Sequence, residues 1–585
     1  MSRIIWDGEK IVVDSTRLDT DKLDNLCTVY YGNRLPLSVF YEFPRNMKLV
    51  KELGSLDRIV MDSSFQKLYD AVIRSEENKA KQLEEKIKQY NIPECLYPFQ
   101  KEAVVQMIES ERNILLASEP GCGKSCMSSI FVSKKVLYPC LLVCPASLKT
   151  NWEMELNKWT PGLKITIISG RDSYADSRIV ARAKKADVII INYDILGYED
   201  KELARKEKER IAKVKEEGRK YRKAFIPVKG WAVEFSKNFN LKSVVVDECQ
   251  YIESTKAIRS RAVIQVCADS RIKKVFLSGT PFETKVRQFY NACHILAPDL
   301  FPKESDFLFR YCNPKHGYFG WTFDGVSNLD ELRRKLSLFM IRHRKEDVLK
   351  QLPPKQNIPV YLDMASNVRE SYDKMEEELL KQKEGMHQFT YLAEMKKALV
   401  DIKKDAVVQY IKDMLEIEQK VVVMVYHNEM WEYLMNKFDD IAVGFNGSVA
   451  AFKRQDSVNK FQKDKKVRLF IGQISAAGTG ITLTASHTLI FTEYGNTAAS
   501  MIQAADRVHR VSQESDNVQI YYLIVKDTID EGPLANLSNH FGDIHSVLDG
   551  ETNAKFVDID EAMIANVKER VLMRKNKGLR ISYSD

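Results

Sequence analysis

Short apolar runs alternate with longer helical patterns along most of this chain. From about residue 96 the apolar runs read NILLAS, PCLLVCP, ADVIIINYD, LKSVVVDE and KKVFLSG. Continuous runs of this kind are typical of strands that are buried on both faces of a parallel sheet. Strands that alternate with helices predict an α/β lobe.

The same alternation returns after about residue 415, with KVVVMVYH, VRLFIGQ, HTLIFTE and NVQIYYLIV. The predicted fold class is therefore α/β, with two parallel-sheet lobes, helical insertions and a small N-terminal module. The predicted boundaries are 1–90 for the N-terminal accessory module, 91–360 for the first lobe with its insertions, 361–415 for a helical linker or protrusion, 416–535 for the second lobe and 536–585 for a C-terminal helical brace.

The N-terminal module begins with two apolar runs around Asp7-Gly8, a dipeptide that favours a tight β-hairpin. Ser63 and Ser64 are candidate N-caps for a long charged helix that runs to about Tyr90. We expect these residues to form a separate module. Its position suggests a role in substrate recognition.

Composition narrows the function classes. Of the 585 residues, 44% are hydrophobic and 29% charged, an ordinary globular balance. No stretch approaches the ~20 apolar residues that span a bilayer, and the N-terminus lacks a secretory pattern, so we expect no membrane partner. The ten cysteines include no CxxC pair, which favours reduced thiols over a zinc site. The net charge of +8 permits a nucleic-acid partner.

Residues 118–125 read SEPGCGKS, between an apolar strand and a helix, as a phosphate-binding loop requires. Lys124 would reach the β- and γ-phosphates, and the Ser125 hydroxyl would bind Mg²⁺. Ser118 stands where the strict pattern has its first glycine. The predicted phosphate-binding residues are Gly121, Cys122, Gly123, Lys124 and Ser125.

Two further elements complete a candidate site for ATP hydrolysis. Asp247 and Glu248 end a strand downstream of the phosphate loop, where Asp247 would hold Mg²⁺ and Glu248 would activate water. In QAADRVHR, a helix would place Gln503, Asp506, Arg507 and Arg510 on one face. Arg507 and Arg510 would then reach the γ-phosphate from the second lobe.

Nine motifs in order resemble those of the Swi/Snf-type superfamily 2 ATPases. They are LYPFQ (96–100), SEPGCGKS (118–125), CPASLKTNWEMELNKW (144–159), INYDIL (191–196), VVVDECQ (244–250), LSGTPFE (277–283), RQDSVNKFQ (454–462), ISAAGTGITLTAS (474–486) and QAADRVHRVSQ (503–513). The stretches 310–332, 341–356 and 474–486 are most similar to the annealing-helicase, fork-remodelling (HARP-like) branch. The resemblance covers roughly 95–535 and implies two RecA-like lobes.

The resemblance also implies a role for individual residues. Gln100 would read the adenine edge, and Gly478 and Gly480 would let the second lobe approach the nucleotide. Ser278, Gly279, Thr280 and Gln503 would couple nucleotide state to the nucleic acid. The residues implied to touch the DNA backbone are Pro145, Ala146, Ser147, Asn192, Tyr193, Ser448 and Ser475; such contacts position a strand without reading its sequence.

The chain departs from the family pattern at four places. Gln250 replaces a histidine, Thr284 replaces an asparagine, and Ser118 replaces a glycine. The segment 493–499, EYGNTAA, lacks the usual tryptophan–proline pair, which bears on how tightly the second lobe grips its strand or the C-terminal brace.

Two further segments have two interpretations each, and a third has one. The basic helix at 205–223 either lines the DNA path or is a solvated surface helix with Glu–Lys pairs. Residues 342–345 are expected to support lobe packing. The aromatic residues of 318–323 are either part of a core or stack on bases; they are Tyr318, Phe319, Trp321 and Phe323.

The resemblance implies a DNA-dependent ATPase that uses ATP and Mg²⁺ to move on double-stranded or branched DNA, in replication or repair. The alternatives are an ATP-gated DNA clamp or scaffold with little turnover, and a motor that acts on RNA or belongs to a restriction system. We expect a monomer from a bacterium or virus, located in the cytoplasm or nucleoid, or in the nucleus of a eukaryote.

Overall fold

The computed structural model describes residues 2–6, 10–14, 33–34, 40–44, 47–54, 59–217, 226–282, 285–317, 320–364, 366–382, 386–449, 451–477, 480–495, 497–510, 513–532, 548 and 559–581. The chain divides into two compact units, 1–105 and 106–585. None of the helices in these ranges is long and apolar enough to cross a bilayer.

The first unit contains a five-stranded sheet with the order β3-β4-β2-β1-β5. β1 and β2 pair antiparallel, with Trp6 opposite Ile11, which confirms the predicted strand pair; Asp7 and Gly8 lie outside the described residues. β5 pairs parallel to β1. The strands are β1 (Ser2–Trp6), β2 (Lys10–Asp14), β3 (Asn33–Arg34), β4 (Phe40–Pro44) and β5 (Ile59–Met61).

Two helices pack with this sheet, α1 (Met47–Gly54) and α2 (Ser63–Gln89). The next helix, α3 (Pro98–Glu109), begins in the first unit and ends in the second. The predicted cap of α2 is wrong by one residue. Asp62 is the N-cap, and its Oδ1 accepts a hydrogen bond from the Phe65 N–H at 2.7 Å. Ser64 instead bonds to the Asp62 carboxylate and to the Trp6 carbonyl. A carboxylate is as good a cap as a hydroxyl and also complements the helix dipole.

The second unit begins with a seven-stranded sheet in the order β16-β6-β13-β12-β7-β9-β8, and all of its pairings are parallel. The seven strands are β6 (Ile114–Leu116), β7 (Cys140–Cys144), β8 (Ile165–Ile167), β9 (Val188–Asn192), β12 (Ser243–Asp247), β13 (Lys273–Leu277) and β16 (Met340–Ile341). The five predicted apolar runs form β6, β7, β9, β12 and β13, whereas the short strands β8 and β16 were not predicted.

A second parallel sheet of six strands has the order β17-β22-β21-β18-β20-β19. Its strands are β17 (Lys355–Leu362), β18 (Val421–Val425), β19 (Ala442–Phe445), β20 (Leu469–Gln473), β21 (Thr488–Phe491) and β22 (Val518–Val525). These two sheets confirm the α/β class with two RecA-like lobes. β17 pairs with β22 along its whole length, so the chain enters the second sheet at Lys355, before the predicted boundary at 360.

Helices cover both sheets. In the first lobe they are α4 (Lys124–Lys134), α5 (Lys149–Trp159), α6 (Ser177–Lys184), α7 (Tyr193–Leu196), α8 (Lys201–Glu216), α9 (Trp231–Asn238), α10 (Ile258–Val266), α11 (Tyr290–Leu296), α12 (Glu304–Tyr311), α13 (Leu329–Leu336) and α14 (Lys345–Val348). Two short antiparallel strand pairs lie among them: β10 (Tyr198–Glu199) with β11 (Val228–Lys229), on either side of α8, and β14 (Lys315–Gly317) with β15 (Gly320–Thr322).

The second lobe carries α15 (Ser366–Lys381), α16 (Met386–Ile417), α17 (Asn428–Lys437), α18 (Ala451–Lys463), α19 (Ile474–Ala477), α20 (Ala498–Ala505) and α21 (Ile559–Ile581). Apolar residues of α21 join the core of this lobe, including Met563 and Val567. Ion pairs add to this contact, because the fully buried Glu376 of α15 bonds to both Arg570 and Arg574. The C-terminal helix is thus packed on the second lobe by apolar and charged contacts.

Candidate nucleotide site and nucleic-acid interface

The candidate residues of the first lobe follow strands that point the same way. Because β6, β7, β9, β12 and β13 are all parallel, their carboxyl ends meet at one edge of the sheet, where ligands bind in open α/β sheets. The segments that follow these five strands are the phosphate loop at 117–123, the turn at 145–148, the start of α7, Glu248 and the segment 278–282. Distant motifs of the sequence are brought together in this way.

The phosphate loop has the conformation that its glycines predict. Gly121 and Gly123 have φ angles of +89° and +84°, values that favour glycine. Lys124 opens α4, and its Nζ donates to the Ser118 carbonyl oxygen at 2.8 Å. Ser118 therefore holds Lys124 through its backbone carbonyl group. Because any residue has this group, the replacement of the usual glycine by serine does not remove the contact. Burial raises the pKa of the Cys122 thiol to about 11, which keeps it protonated.

The acidic pair lies at the end of β12. Asp247 is buried, and burial and the neighbouring Glu248 raise its pKa to about 7, while Trp152 and Lys124 act in the opposite direction. Its Oδ2 accepts from the Trp152 indole N–H at 2.7 Å, and its Oδ1 accepts from the Glu248 N–H at 3.0 Å. A buried carboxylate beside a half-buried one favours a cation between them and the phosphates of a ligand.

These residues fit Mg²⁺ held together with a nucleotide. Among the described residues, no group of three or more His, Cys, Asp or Glu could hold a metal ion by itself. Mg²⁺ is commonly bound by one or two carboxylates together with substrate phosphates. Asp247 and the Ser125 hydroxyl are the protein ligands that this arrangement offers.

Gln250 joins the acidic pair to the next motif. Its Nε2 donates to Glu248 Oε2 at 2.9 Å, and its Oε1 accepts from the Ser278 hydroxyl at 2.7 Å. Ser278 Oγ in turn accepts from the Thr280 N–H at 3.1 Å. An amide side chain donates and accepts at once, so it can connect a carboxylate to a hydroxyl.

Gly279 packs directly against the phosphate loop. A Cβ at this position would lie 2.6 Å from Pro120 Cδ, so only glycine fits without movement. The phosphate loop is thus in direct contact with the segment of Ser278 and Thr280, and the coupling role of these two residues stays a prediction.

Of the two second-lobe arginines, Arg507 lies near the acidic pair, although neither arginine is on the predicted helix. The expectation that Gln503, Asp506, Arg507 and Arg510 share one helical face is wrong, because α20 ends at Ala505 and Asp506 is its C-cap. Arg507 is buried, and its charge is attracted by Glu248 of the first lobe. Burial lowers the pKa of Arg510 to about 9, and its guanidinium donates to Thr482 Oγ1 at 2.6 Å. Gln503 is a buried residue of α20.

Lys345 bridges the two lobes beside the phosphate loop. Its backbone N–H donates to Glu119 Oε2 at 2.8 Å, and its buried Nζ lies 2.7 Å from Asp506 Oδ1. A Cβ on Gly121 would lie 3.3 Å from Lys345 Cε. Ser118 Oγ and His343 Nδ1 are 2.9 Å apart in the same region. Residues 342–345 therefore support lobe packing, as predicted.

A cavity of about 590 Å³ opens next to this bridge. It is lined from the first lobe by Glu119, Pro120, Gly279 and Thr280, from the connecting segment by residues between Arg342 and Asn357, and from the second lobe by Ile502, Asp506 and His509. Both lobes thus share an open space next to the phosphate loop.

The lobes also meet where Gly480 of the second lobe approaches Leu148 of the first. Gly480 has a φ of +74°, and a Cβ there would lie 2.3 Å from Leu148 Cδ2. Gly480 was expected to let the second lobe approach the nucleotide. In the structure it approaches the start of α5, and its contact with a nucleotide stays a prediction. Gly478 lies outside the described residues.

A family model described as the SNF2-related domain matches residues 99–411, and one for the helicase conserved C-terminal domain matches residues 403–512. The first match covers more than half of the chain. The chain belongs to the SNF2-related family.

Two curated relatives extend the comparison. The DNA annealing helicase and endonuclease ZRANB3 of Homo sapiens is 32% identical over 452 residues, covering 74% of this chain and 39% of that protein. SWI/SNF-related matrix-associated actin-dependent regulator of chromatin subfamily A-like protein 1 of Xenopus tropicalis is 27% identical over 453 residues, covering 74% and 43%. The chain spans less than half the length of these relatives. The branch predicted from the motifs is confirmed.

Among solved structures, the Sulfolobus solfataricus SWI2/SNF2 ATPase core in complex with dsDNA is 22% identical and covers 76% of this chain and 90% of that chain, with a TM-score of 0.36. The two-lobe fold is shown by the two parallel sheets of this SNF2 chain itself.

The residues predicted to touch DNA fall into two groups in this SNF2 chain. Ala146, Ser147, Ser448 and Ser475 are exposed or half-buried, so a nucleic acid could reach them, and their contact with DNA stays a prediction. Pro145, Asn192 and Tyr193 are buried. Side chains in the second group have no surface to offer to a DNA backbone.

Tyr193 supports the acidic pair instead. Its hydroxyl donates to the Asp247 carbonyl oxygen at 2.6 Å, and its ring stacks on Tyr251 at 5.3 Å between centroids. The expected DNA contact of its side chain is therefore corrected to a structural one. The Trp152 contact with Asp247 was also not predicted, since nothing in the spacing shows which buried side chains meet.

Gln100 is buried in α3, and its Oε1 accepts from the Tyr97 N–H at 3.1 Å. Its role in reading adenine stays a prediction. Of the departures from the SNF2 pattern, Gln250 and Ser118 have the contacts given above, and Thr284 lies outside the described residues.

In the segment that lacks the tryptophan–proline pair, the Glu493 carboxylate accepts from the backbone N–H groups of Tyr426 and His427 at 3.0 and 3.2 Å. This part of 493–499 is therefore attached to the end of β18.

The structure bears on the interpretation of two surface segments, the basic helix at 205–223 and the aromatic residues of 318–323. α8 carries the ion pairs Arg205–Glu209, Lys206–Glu202 and Arg210–Glu207, which favours the solvated-helix interpretation; residues 218–225 lie outside the described residues. Trp321 is exposed, whereas Phe323 packs against the first-lobe core. Tyr318 and Phe319 lie outside the described residues.

Proposed function

We propose that this chain is a DNA-dependent ATPase that moves on double-stranded or branched DNA and anneals or remodels it. The observation that carries the proposal is the Asp247–Glu248 pair, with Asp247 buried and Glu248 half-buried, next to Lys124 of the phosphate loop and facing Arg507 of the second lobe. This arrangement has the parts that phosphoryl transfer needs, which are positioning groups and compensating charges.

Hydrolysis would proceed by attack of water on the γ-phosphate of ATP. Glu248 would orient the water and accept its proton, while Gln250 fixes the carboxylate through Oε2. Lys124 and the backbone N–H groups of Gly121 to Ser125 would hold the phosphates. Bound Mg²⁺ would neutralise phosphate charge, held by Asp247 and Ser125.

Movement would come from the approach and separation of the lobes. Arg507 and Arg510 complete the site only when the lobes approach, and loss of the γ-phosphate removes the charge that they neutralise. Repeated approach and separation would carry the chain along one strand of a duplex. Relatives named for DNA annealing and chromatin regulation support DNA as the track. The endonuclease activity in one of those names is not extended to this chain, which matches 39% of that protein.

The test is steady-state ATPase activity at one fixed salt concentration. Reactions contain no nucleic acid, single-stranded DNA, duplex DNA, forked DNA or double-stranded RNA. We expect weak hydrolysis alone and strong stimulation by duplex or forked DNA. Lys124→Ala and Glu248→Gln are the controls and should abolish turnover, because the first removes the phosphate contact and the second removes the base.

Three results would contradict the proposal in different ways. Stimulation by RNA alone would keep the motor and overturn the substrate. Undiminished activity of Glu248→Gln would overturn the site. No stimulation by any polynucleotide, together with ATP-dependent DNA binding, would favour an ATP-gated clamp or scaffold. On the leading proposal the protein is found with DNA, in the nucleus of a eukaryote or the nucleoid or cytoplasm of other cells, and acts as a monomer.

A further inference from the structure

We propose that Trp152 is a positioning residue that ties the metal-binding carboxylate of Asp247 to helix α5, and so transmits contacts of α5 with DNA and with the second lobe to the hydrolysis site. This inference rests on the proposed function, since it explains how DNA would stimulate hydrolysis. Neither the motif pattern nor the family match assigns Trp152 this role.

The contact itself is short and buried. The indole N–H of Trp152 donates to Asp247 Oδ2 at 2.7 Å, and Trp152 is 1% exposed. A buried indole N–H needs a partner, and a hydrogen bond to a charged group is stronger than one between neutral groups. Asp247 Oδ1 is oriented separately by the Glu248 N–H. Each oxygen of a carboxylate accepts about two hydrogen bonds or ligands, so both oxygens keep capacity for a metal ion.

Trp152 lies one turn into α5, directly after the turn at 145–148. Ala146 is exposed and Ser147 half-buried in that turn, where the chain is predicted to touch the DNA backbone. A helix is stiff over one turn, so displacement of its first residues moves the indole with them. Movement of this turn by DNA therefore changes the orientation of Asp247.

The second lobe contacts the same helix at Gly480, and the charge of Arg510 is influenced by a residue of this helix. Gly480 packs against Leu148 at the start of α5, where an added Cβ would lie 2.3 Å from Leu148 Cδ2. About two turns further along α5, Glu155 attracts Arg510 of the second lobe and accepts a hydrogen bond from the Trp159 indole N–H at 2.9 Å. Trp152 and Glu155 are three residues apart and so are neighbours on the surface of α5. One helix thus links the metal-binding carboxylate of the first lobe with an arginine of the second.

A groove between α5 and the second lobe fits this arrangement. It is lined by Ser147, Asn151 and Met154 on one side and by Phe445, Arg454 and Gly480 on the other. The position of α5 therefore depends on how closely the second lobe approaches. The indole then acts as a rigid connection, because Trp152 and Asp247 are both enclosed by protein.

The test compares Trp152→Phe with Trp231→Phe in the full-length chain. Trp231 is also a buried tryptophan of the first lobe whose indole N–H has one side-chain partner, Ser173, at 3.1 Å, away from the site. Each variant loses one indole donor and keeps an aromatic ring. Trp152→His is the rescue variant, because imidazole restores a ring N–H donor.

The main measurement is the affinity for ADP in the presence of Mg²⁺, by calorimetry, with and without a short duplex. By linkage, the factor by which DNA changes ADP affinity equals the factor by which ADP changes DNA affinity. We expect this factor to approach 1 in Trp152→Phe and to stay at the wild-type value in Trp231→Phe. DNA affinity without nucleotide should be unchanged in both. The half-saturating Mg²⁺ concentration should rise by about 10- to 100-fold in Trp152→Phe, as for other residues that orient metal ligands.

A spectroscopic measurement separates positioning from loss of folding. The chain has six tryptophans, so the difference between wild-type and Trp152→Phe emission isolates Trp152. We expect this difference spectrum to change when Mg²⁺ and ADP are added, and the Trp231 difference spectrum to stay constant. If Trp152→Phe fails to fold, the tryptophan emission of the wild-type protein is measured before and after the addition of Mg²⁺ and ADP. An unchanged emission would contradict the proposal.

The outcomes distinguish the two proposals. If DNA leaves ADP affinity and turnover of the wild-type protein unchanged, the proposed function fails. If wild-type shows coupling and Trp152→Phe keeps the same coupling and Mg²⁺ requirement as Trp231→Phe, only the role of Trp152 is overturned. Loss of coupling in Trp152→Phe with partial recovery in Trp152→His would support it.

Discussion

Gln250 stands at the meeting point of the catalytic carboxylate and the coupling segment. In one side chain it donates to Glu248 and accepts from Ser278. Glu248 itself has a φ of +53°, an uncommon backbone conformation for a residue with a side chain. Such conformations persist where the surrounding structure holds them, and they are frequent at functional sites. The contact with Gln250 is one of the restraints on this carboxylate.

We therefore expect Gln250→Ala to lower kcat with little change in the KM for ATP. The reduction should be roughly 10- to 100-fold, because a hydrogen bond to a charged group contributes about 1.5–3 kcal/mol and each 1.36 kcal/mol is tenfold in rate. Gln250→His should recover part of the activity, since imidazole can donate through one nitrogen and accept through the other. Steady-state kinetics with duplex DNA measure both variants. Wild-type kcat in Gln250→Ala would contradict the role of this bridge.

At the scale of elements, the strands could be predicted and several contacts between elements could not. Runs such as Val421–Val425 and Val188–Asn192 are apolar at nearly every position because both faces of a parallel sheet are covered. This pattern is local in the sequence, and so it locates the strands. The phosphate loop was predictable for the same reason, since its residues are contiguous.

The end of α20 depends on a contact that is remote in the sequence. Asp506 could continue a helix by its spacing, but its carboxylate is paired with Lys345, and the chain turns at this residue. The bond between Trp152 and Asp247 joins residues that are 95 positions apart. Periodicity shows which face of an element is buried and does not show what it is buried against. These parts of the site therefore required the structure.

The contact between Gly480 and α5 leads to a prediction at this scale. Gly480→Ala would place a Cβ 2.3 Å from Leu148 Cδ2, so we expect weaker lobe closure and a clear loss of DNA-stimulated ATPase activity. Part of the effect would come from the backbone, because φ is +74° and a left-handed conformation costs an L-residue about 1–2 kcal/mol.

Gly162→Ala is the matched control for this backbone cost. Gly162 has a φ of +93° and no atom within 4 Å of its would-be Cβ, so the substitution adds strain without a clash. The double variant Gly480→Ala with Leu148→Ala should recover activity relative to Gly480→Ala, because the shorter side chain makes room. Equal activities of Gly480→Ala and Gly162→Ala would show that the close approach is unimportant for hydrolysis.

At the scale of the whole molecule, the second unit works only if its two lobes act as partners. Lys345 is suited to join them, since its backbone bonds to Glu119 of the phosphate loop and its side chain pairs with Asp506 of the second lobe. Arg507 follows Asp506 directly. An ion pair this well buried stabilises the closed arrangement only while both partners are present, because the next cation, Lys355 Nζ, is 4.0 Å from Asp506 Oδ1.

We expect Lys345→Met to separate the lobes and to lower kcat by about tenfold or more, since breaking a buried ion pair typically costs about 3–5 kcal/mol. Single-molecule fluorescence transfer between labels on the two lobes would show a longer mean distance. Adding Asp506→Asn to Lys345→Met should recover part of the closure, because the uncompensated carboxylate is removed.

Lys403→Met is the control that separates lobe closure from general stability. Lys403 and Asp530 form an equally buried pair at 2.8 Å, but both belong to the second lobe. Its loss should lower the free energy of unfolding by a similar amount, about 3–5 kcal/mol, and leave the distance between the lobes unchanged. If both variants destabilise the protein and neither changes the lobe distance, the Lys345–Asp506 pair stabilises the fold without controlling closure. A longer distance in Lys345→Met alone would instead show that this pair holds the arginines at the phosphate loop.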